Sequence, residues 1–275
     1  MIPKQIAVLG AGYVGSAFAS VASAAGHRVW AVRRSAVGVA DPAVRWLRGD
    51  AAAGFVDGLP QELDAIVLAV SPAGGAVSYD AVYPPAARGA LALALSTGSP
   101  RILYTSSTGV YGGRDGAWVT EANPRLGVGD GNAALIAAED ILLQHGVEAC
   151  VMRVAGIYGP GRDPRGRMRH ASSLPQRGQY WTNLAHRDDI VSALLHVLGH
   201  PSPPAVFNVS DGSPTRAADV CRWIVAAEGG DPGALVFVNV EQRSRNDQRV
   251  SNAALVSTGW TPRYASFREG FTSGL

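Results

Sequence analysis

Lysine is almost missing from this chain. Of 24 basic residues among 275, Lys4 alone is not arginine. It lies before the first apolar run, so no interior amine is at hand for Schiff-base or acid–base work. Cysteine is nearly as scarce. Cys150 and Cys221 fall in segments that read as a buried strand and a buried helix. Two isolated thiols make neither a disulfide framework nor a metal-binding spacing, so no metal site is expected. Charge is low too. A net +2 gives no field suited to nucleic acid or an anionic membrane, and aromatic and basic residues do not interleave. No apolar run reaches the ~18 residues of a membrane span, and no leader pattern opens the chain, so a cytoplasmic location is expected. P-loop, HExxH, CxxC and GxSxG patterns do not occur, nor do internal repeats. What remains is a globular composition, 47% apolar and 17% charged. The length suits one large domain, or a domain with a smaller lobe.

The first forty residues carry the strongest signal. "IAVLG" is a short apolar run closed by glycine, as in a buried parallel strand. "SAFASVASAAG" reads as a helix and "HRVWAV" as a second buried strand. Between the first strand and the helix lies Gly10-x-Gly12-x-x-Gly15. The first glycine makes the tight turn, the second lets backbone approach a pyrophosphate, and the third lets helix and strand pack closely. The helix N-terminus then offers free N–H groups and a positive dipole end, which brings Tyr13 and Val14 into the candidate cofactor site. An NAD site commonly ends its second strand in a carboxylate that holds the ribose 2′-OH. Here Arg33 and Arg34 stand instead, and a guanidinium forks onto a 2′-phosphate. NADP(H) is therefore expected rather than NAD(H). The plain alternative is two solvated surface arginines.

"VRWLRGD" reads as a third strand ending at Asp50, and "LDAIVLAVSP" as a fourth, with Ser71 just beyond it. "YDAVYPPAARGALALALS" reads as a loop and a helix broken by Pro84-Pro85. "RILYTSSTGVYGG" is a fifth strand running into a polar turn, and "VFNVS" returns to the sheet. The pattern describes an α/β fold, a Rossmann-type doubly wound parallel sheet with a small, discontinuous substrate lobe. The core spans 1–160, completed by about 184–211. The lobe draws on 161–183 and 212–275, interleaved with the core.

The pieces "GAGYVG", "YTSSTGVYGG", "VTEANP", "AAEDILL", "VMRVAGIYGPGR", "NLAHRDDIVSAL", "FNVSDG" and "SNAALVSTGW" follow one another nearly end to end. Together they resemble the extended short-chain dehydrogenase/reductases of the epimerase/dehydratase type. In that family a Ser or Thr five residues before the Gly of "VYG" bonds the reacting oxygen, which implies Ser107. A Tyr and, four residues on, a Lys complete the site. Aligning "AAED" puts Gly131 and Leu135 at those places, and no Tyr of the chain has Lys four residues after it. The chain thus resembles the atypical, YeeZ-like subgroup, which shares the "GIYGPGR" stretch and often lacks the pair. The resemblance also puts Gly156 where many members carry Asn, and draws Pro160 to the cofactor.

Acid–base assistance is worth about 10²–10⁴-fold, so loss of the pair does not abolish hydride chemistry. Four residues are candidates to stand in. Ser107 is either an oxygen-directed donor or a tie at a strand end. Tyr111 and Tyr158 are proton donors or core aromatics, with Tyr158 ending the sixth strand. His186 is an acid or a structural hydrogen-bonding residue before a helix that Asp188 or Asp189 could cap. In "GRDPRGRMRH", Arg162, Arg165, Arg167 and Arg169 either clamp an anionic substrate group or are solvated. Trp181 either covers the substrate or packs at a rim. Three functions stay open: an NADP(H)-dependent reductase of a C=O or C=N bond, an epimerase, isomerase or dehydratase with transiently used NAD(P), and a non-catalytic NADP(H)-binding sensor. The expected partner is a small-molecule substrate, with a homodimer open.

Overall fold

The computed structural model describes residues 2–35, 41–72, 77–113, 115–127, 129–162, 173–174, 179–237 and 246–273. The chain divides into two compact units. The first comprises Met1–Val110, Gly129–Arg153 and Val191–Phe207; the second comprises Tyr111–Val128, Val154–Ile190 and Asn208–Leu275.

The first unit is built on β1 (Gln5–Leu9), β2 (Arg28–Arg33), β3 (Arg45–Arg48), β4 (Ala65–Leu68), β5 (Arg101–Ser107) and β7 (Ala149–Val154). With β12 (Val206–Val209) they make a seven-stranded sheet in the order β12-β7-β5-β4-β1-β2-β3. β1 pairs in parallel with both β2 and β4, β2 with β3, and β4 with β5. Ile6 to Leu9 and Ala65 to Leu68 are fully buried. That explains their unbroken apolar runs: strands inside a parallel sheet are covered on both faces. The return of "VFNVS" to the sheet as β12 is observed. The strand order reverses between β1 and β4, and in doubly wound sheets ligands bind beyond the strand ends at such a reversal.

Three helices matter here. α1 (Tyr13–Ala24) follows β1, and α2 (Tyr83–Ser96) packs against α3 (Asp130–Leu143). Pro84 and Pro85 do not break α2, contrary to the sequence expectation; they lie in its first turn. There the missing N–H groups have no intrahelical partner to lose, and the fixed φ already suits the helix.

The second unit contains β6 (Ala117–Val119), β8 (Gly156–Tyr158), β9 (Ser173–Leu174), β10 (Trp181–Thr182), β11 (Leu184–His186), β13 (Thr215–Arg216), β14 (Val236–Phe237) and β15 (Gln248–Val250). They associate as short pairs: β8 with β11, β6 with β15 and β9 with β14 in parallel, and β10 with β13 antiparallel. Tyr158 therefore sits one strand later than expected, in β8 rather than at the end of β7. Ala155 N donates to Val209 O, and the next residue, Gly156, donates to Asn183 O, so the chain changes partner there. Tyr158, Val220, Ile224, Phe267 and Phe271 form this unit's apolar cluster. Among the described residues no helix is long and apolar enough to cross a membrane, and no three His, Cys, Asp or Glu residues group as metal ligands.

Candidate cofactor and reaction site

A cavity of about 300 Å³ opens in the first unit, at the reversal of strand order. It is bounded by the turn Gly10–Gly12, the end of β2 at Val32–Ser35, the residues Gly49–Ala52, the stretch Ala69–Ser71 after β4, and Ala81, Val82 and Ala86. The proposed cofactor residues Gly10, Gly12, Arg33, Arg34, Asp50 and Ser71 all line it.

The three glycines are held for different reasons. Gly10 has φ +88°, and a Cβ there would stand 2.7 Å from Val70 Cγ1 and 2.8 Å from the Ala69 carbonyl. A Cβ on Gly15 would stand 2.5 Å from Gly10 O. Both are demanded by the protein's own packing. Gly12 is not: a Cβ there would meet only Gly10 O, at 4.0 Å. Its bareness keeps open the space above the turn, as close approach of a pyrophosphate requires. Gly12 is also the N-cap of α1, where no side chain caps the helix and no acidic residue occupies the first turn. The N–H groups at Tyr13 and Val14 begin that turn, where a helix end favours an anion. Val14 is buried and Tyr13 half-buried. This cradle fits a dinucleotide.

At the end of β2, Arg33 donates through Nε and NH2 to Ser35 Oγ, at 3.1 and 2.9 Å. Arg34 is exposed. Asp50 is the carboxylate on the cavity wall, and its Oδ1 accepts from Ala52 N at 3.0 Å, capping a short 3₁₀ turn. It stands after β3, so the end of β2 itself carries guanidinium groups and a hydroxyl.

Ser107 closes β5. Its Oγ accepts from Gly109 N at 3.1 Å, which leaves the hydroxyl proton to donate. The preceding residue, Ser106, donates to Glu139 Oε1 at 2.6 Å. Arg153 grips the same carboxylate through Nε and NH2, the shortest contact being 2.7 Å. Glu139 is fully buried and Arg153 is 3% exposed. The Glu of "AAED" thus joins α3 to β5 and β7, a role that its charged identity within an apolar helix face signalled without naming its partners. Gly131 and Leu135 both lie on α3, with Leu135 buried. The ring of Tyr79 covers Gly131. Asn132 lies beside the Ser107 turn: its Oδ1 and Ser107 Oγ both fall within 3.3 Å of the place a Cβ of Gly109 would occupy. Sequence reasoning had no signal for Tyr79 or Asn132, since both depend on contacts across the sheet's connections.

The remaining candidates lie in the second unit. Tyr111 is buried and donates to Asn208 Oδ1 at 2.6 Å. Tyr158 is buried against Phe271 and His186, with ring centroids 4.8 and 5.1 Å away. Its hydroxyl has no hydrogen-bond partner among the described residues, and burial raises the phenol pKa. A Cβ on Gly270 would collide with that hydroxyl. His186 is 2% exposed, meets Tyr264 edge-on, and accepts at Nδ1 from Asp188 N at 3.2 Å. Burial lowers its pKa, favouring neutral imidazole. Asp189 accepts from Arg263 N and Tyr264 N. A Cβ on Gly156 would lie 3.0 Å from Asn183 O. Pro160 belongs to a tight turn in which Arg162 N donates to Gly159 O, and the Arg162 side chain is exposed. The Trp181 ring is flanked by the guanidinium groups of Arg216 and Arg249, at 4.2 and 5.1 Å. Arg165, Arg167 and Arg169 lie outside the described residues.

Residues 6–210 match the model of the NAD dependent epimerase/dehydratase family. The protein YeeZ of Escherichia coli K12 is 31% identical over 215 residues, 75% of this chain and 77% of that one. A structure described as an NAD-dependent epimerase/dehydratase from Methylobacillus flagellatus superposes with TM-score 0.80 at 25% identity, covering 99% of this chain and 97% of that one. The dTDP-glucose 4,6-dehydratase of Bacillus anthracis strain Ames, solved in complex with NAD, gives TM-score 0.80 at 17% identity, over 98% and 94% of the two chains. At that identity the likeness is one of fold. With the glycine cradle, the parallel sheet and these matches together, the chain belongs to the NAD-dependent epimerase/dehydratase family of nicotinamide-dependent enzymes, as an atypical extended short-chain dehydrogenase/reductase.

Proposed function

We propose that the chain binds NADP(H) and reduces a C=O or C=N bond of a small metabolite. The observation that carries the cofactor choice is the arginine-rich end of β2 on the cavity wall, where Arg33 is braced by Ser35. A 2′-phosphate there would meet two guanidinium groups, and charge-assisted bonds of this kind are worth about 1.5–3 kcal/mol each. Replacing Arg33 and Arg34 by Ala should weaken NADPH by at least 10-fold more than NADH, measured by fluorescence titration. Equal losses for both cofactors would remove the assignment.

For the reaction, Ser107 offers a donor at the end of β5. The cofactor, once bound, supplies or takes the hydride. Gly131 cannot donate a proton and Leu135 cannot tune one, so the favoured substrates need little help with protons. An iminium is one, because its charge disappears on reduction; a strongly polarised carbonyl is another. Ser107→Ala should lower kcat by about 10-fold or more, the range for one lost donor, with NADPH affinity kept. A second reading draws on the resemblance in fold to the NAD-bound dehydratase: an epimerase, isomerase or dehydratase that oxidises and re-reduces its substrate on a retained cofactor. Net consumption of NADPH separates the two.

A further inference from the structure

The first turn of α3 offers a ring where the resemblance leaves a gap. A Cβ built on Gly131 would lie 3.2, 3.3 and 3.4 Å from Cδ1, Cγ and Cε1 of Tyr79. Any side chain at 131 would press the ring aside, so glycine there keeps a berth for Tyr79. Tyr83, buried, backs the same ring with centroids 5.2 Å apart and planes tilted by 55°. The Tyr79 carbonyl accepts from Val82 N and Tyr83 N at 3.0 and 2.9 Å, which ties its backbone to the start of α2. The same short segment continues into Ala81 and Val82, which line the cavity. The next residue of α3, Asn132, stands beside the Ser107 turn. Tyr79 itself is 43% exposed, so water reaches it.

We infer that the phenol of Tyr79, carried on the segment before α2 and seated on Gly131, is the proton donor of the reaction. The assignment rests on the reductive reading above and applies to carbonyls and neutral imines, whose reduction takes up a proton, and not to an iminium, whose reduction takes up none. As the carbonyl carbon gains its hydride, the π pair of the C=O bond moves onto oxygen. That oxygen takes the phenol proton: the Tyr79 O–H bond breaks, the alcohol O–H bond forms, and water reprotonates the phenolate. With an imine the nitrogen takes the same proton. In oxidation the phenolate receives it. A ring delivered from another segment needs no side chain at 131.

The test uses the full chain with tyrosine labelled by ¹³C at Cζ. The signal missing from Tyr79→Phe identifies Tyr79. Saturation with NADP⁺ should move that signal. Tyr79→Phe should lower kcat by about 100-fold, within the range for one general acid. NADPH affinity and thermal midpoint should stay within error. Gly131→Ala, which displaces the ring by a few tenths of an ångström, should lower kcat with NADPH affinity kept. A Tyr79 signal unmoved by saturating NADP⁺, or a Tyr79→Phe variant at the native rate, would overturn the assignment. If the native chain reduces no carbonyl or imine, the reductive reading falls, while the NMR shift still decides whether Tyr79 faces the cofactor.

Discussion

Glu139 and Arg153 face each other with neither side chain in water, their charged atoms 2.7 Å apart. Ser106 completes the arrangement from β5. The pair is thus tied to β5 at the residue that precedes Ser107. Removing one partner from such a joint leaves the other charge unpaired and costs about 3–5 kcal/mol. Glu139→Ala should therefore lower the free energy of unfolding by that amount, read from denaturant titration. A loss below 1 kcal/mol would show that the joint does not support the fold.

Gly12 and Gly15 predict opposite outcomes for the same substitution. Gly15→Ala places a methyl 2.5 Å from backbone oxygen, which has no flexible end to yield. Overpacking of this sort costs about 1–3 kcal/mol. Gly12→Ala meets nothing of the protein closer than 4.0 Å. It should keep the native thermal midpoint yet weaken cofactor binding by about 10-fold or more, equal to about 1.4 kcal/mol. Calorimetry and titration on the two variants check the contrast. Normal affinity in Gly12→Ala would mean that the cradle does not approach the cofactor.

Asp211 gives the second unit a pH signature. Burial pushes its carboxyl up to about 7 from the ordinary 3.8, with the neighbouring Asp189 adding to the rise. Oδ1 accepts from Ser213 N, while Oδ2 has no partner among the described residues. Between those pH values the folded chain holds a proton that the unfolded chain has released. Stability should therefore fall as pH rises from about 4 to 7, by up to about 1.4 kcal/mol per pH unit from this group. Asp211→Asn should flatten that slope in chemical denaturation series. An unchanged slope would place the titration elsewhere.

Much of the core was legible in the sequence because local rules agreed with the fold. The run "IAVLG", the three glycines and "HRVWAV" specify strand, turn and strand within thirty residues, and β1, α1 and β2 follow them. Gly131 and Leu135 lie on α3 as the alignment of "AAED" put them. Pro84-Pro85 misled because proline stops a helix only from inside it, and the start of α2 was not marked by a capping residue. Tyr158 falls one strand later than its sequence suggests because "VMRVAGIY" is continuous in pattern, whereas the switch of partner after Ala155 is a tertiary event. Tyr79 was invisible for a different reason. Its meaning depends on a glycine 52 residues away, and no periodicity links a loop ring to a helix that lacks a side chain.

The reductive account is tested most directly by following one hydrogen. NADPH carrying deuterium at nicotinamide C4 would be mixed with the native chain and a panel of carbonyl and imine substrates. Mass spectrometry of the product and absorbance of the cofactor would be read together. The account predicts deuterium on the former C=O or C=N carbon, with one NADPH oxidised for each product formed. Product formed with no net change in NADPH would contradict it and select transient redox on a retained cofactor.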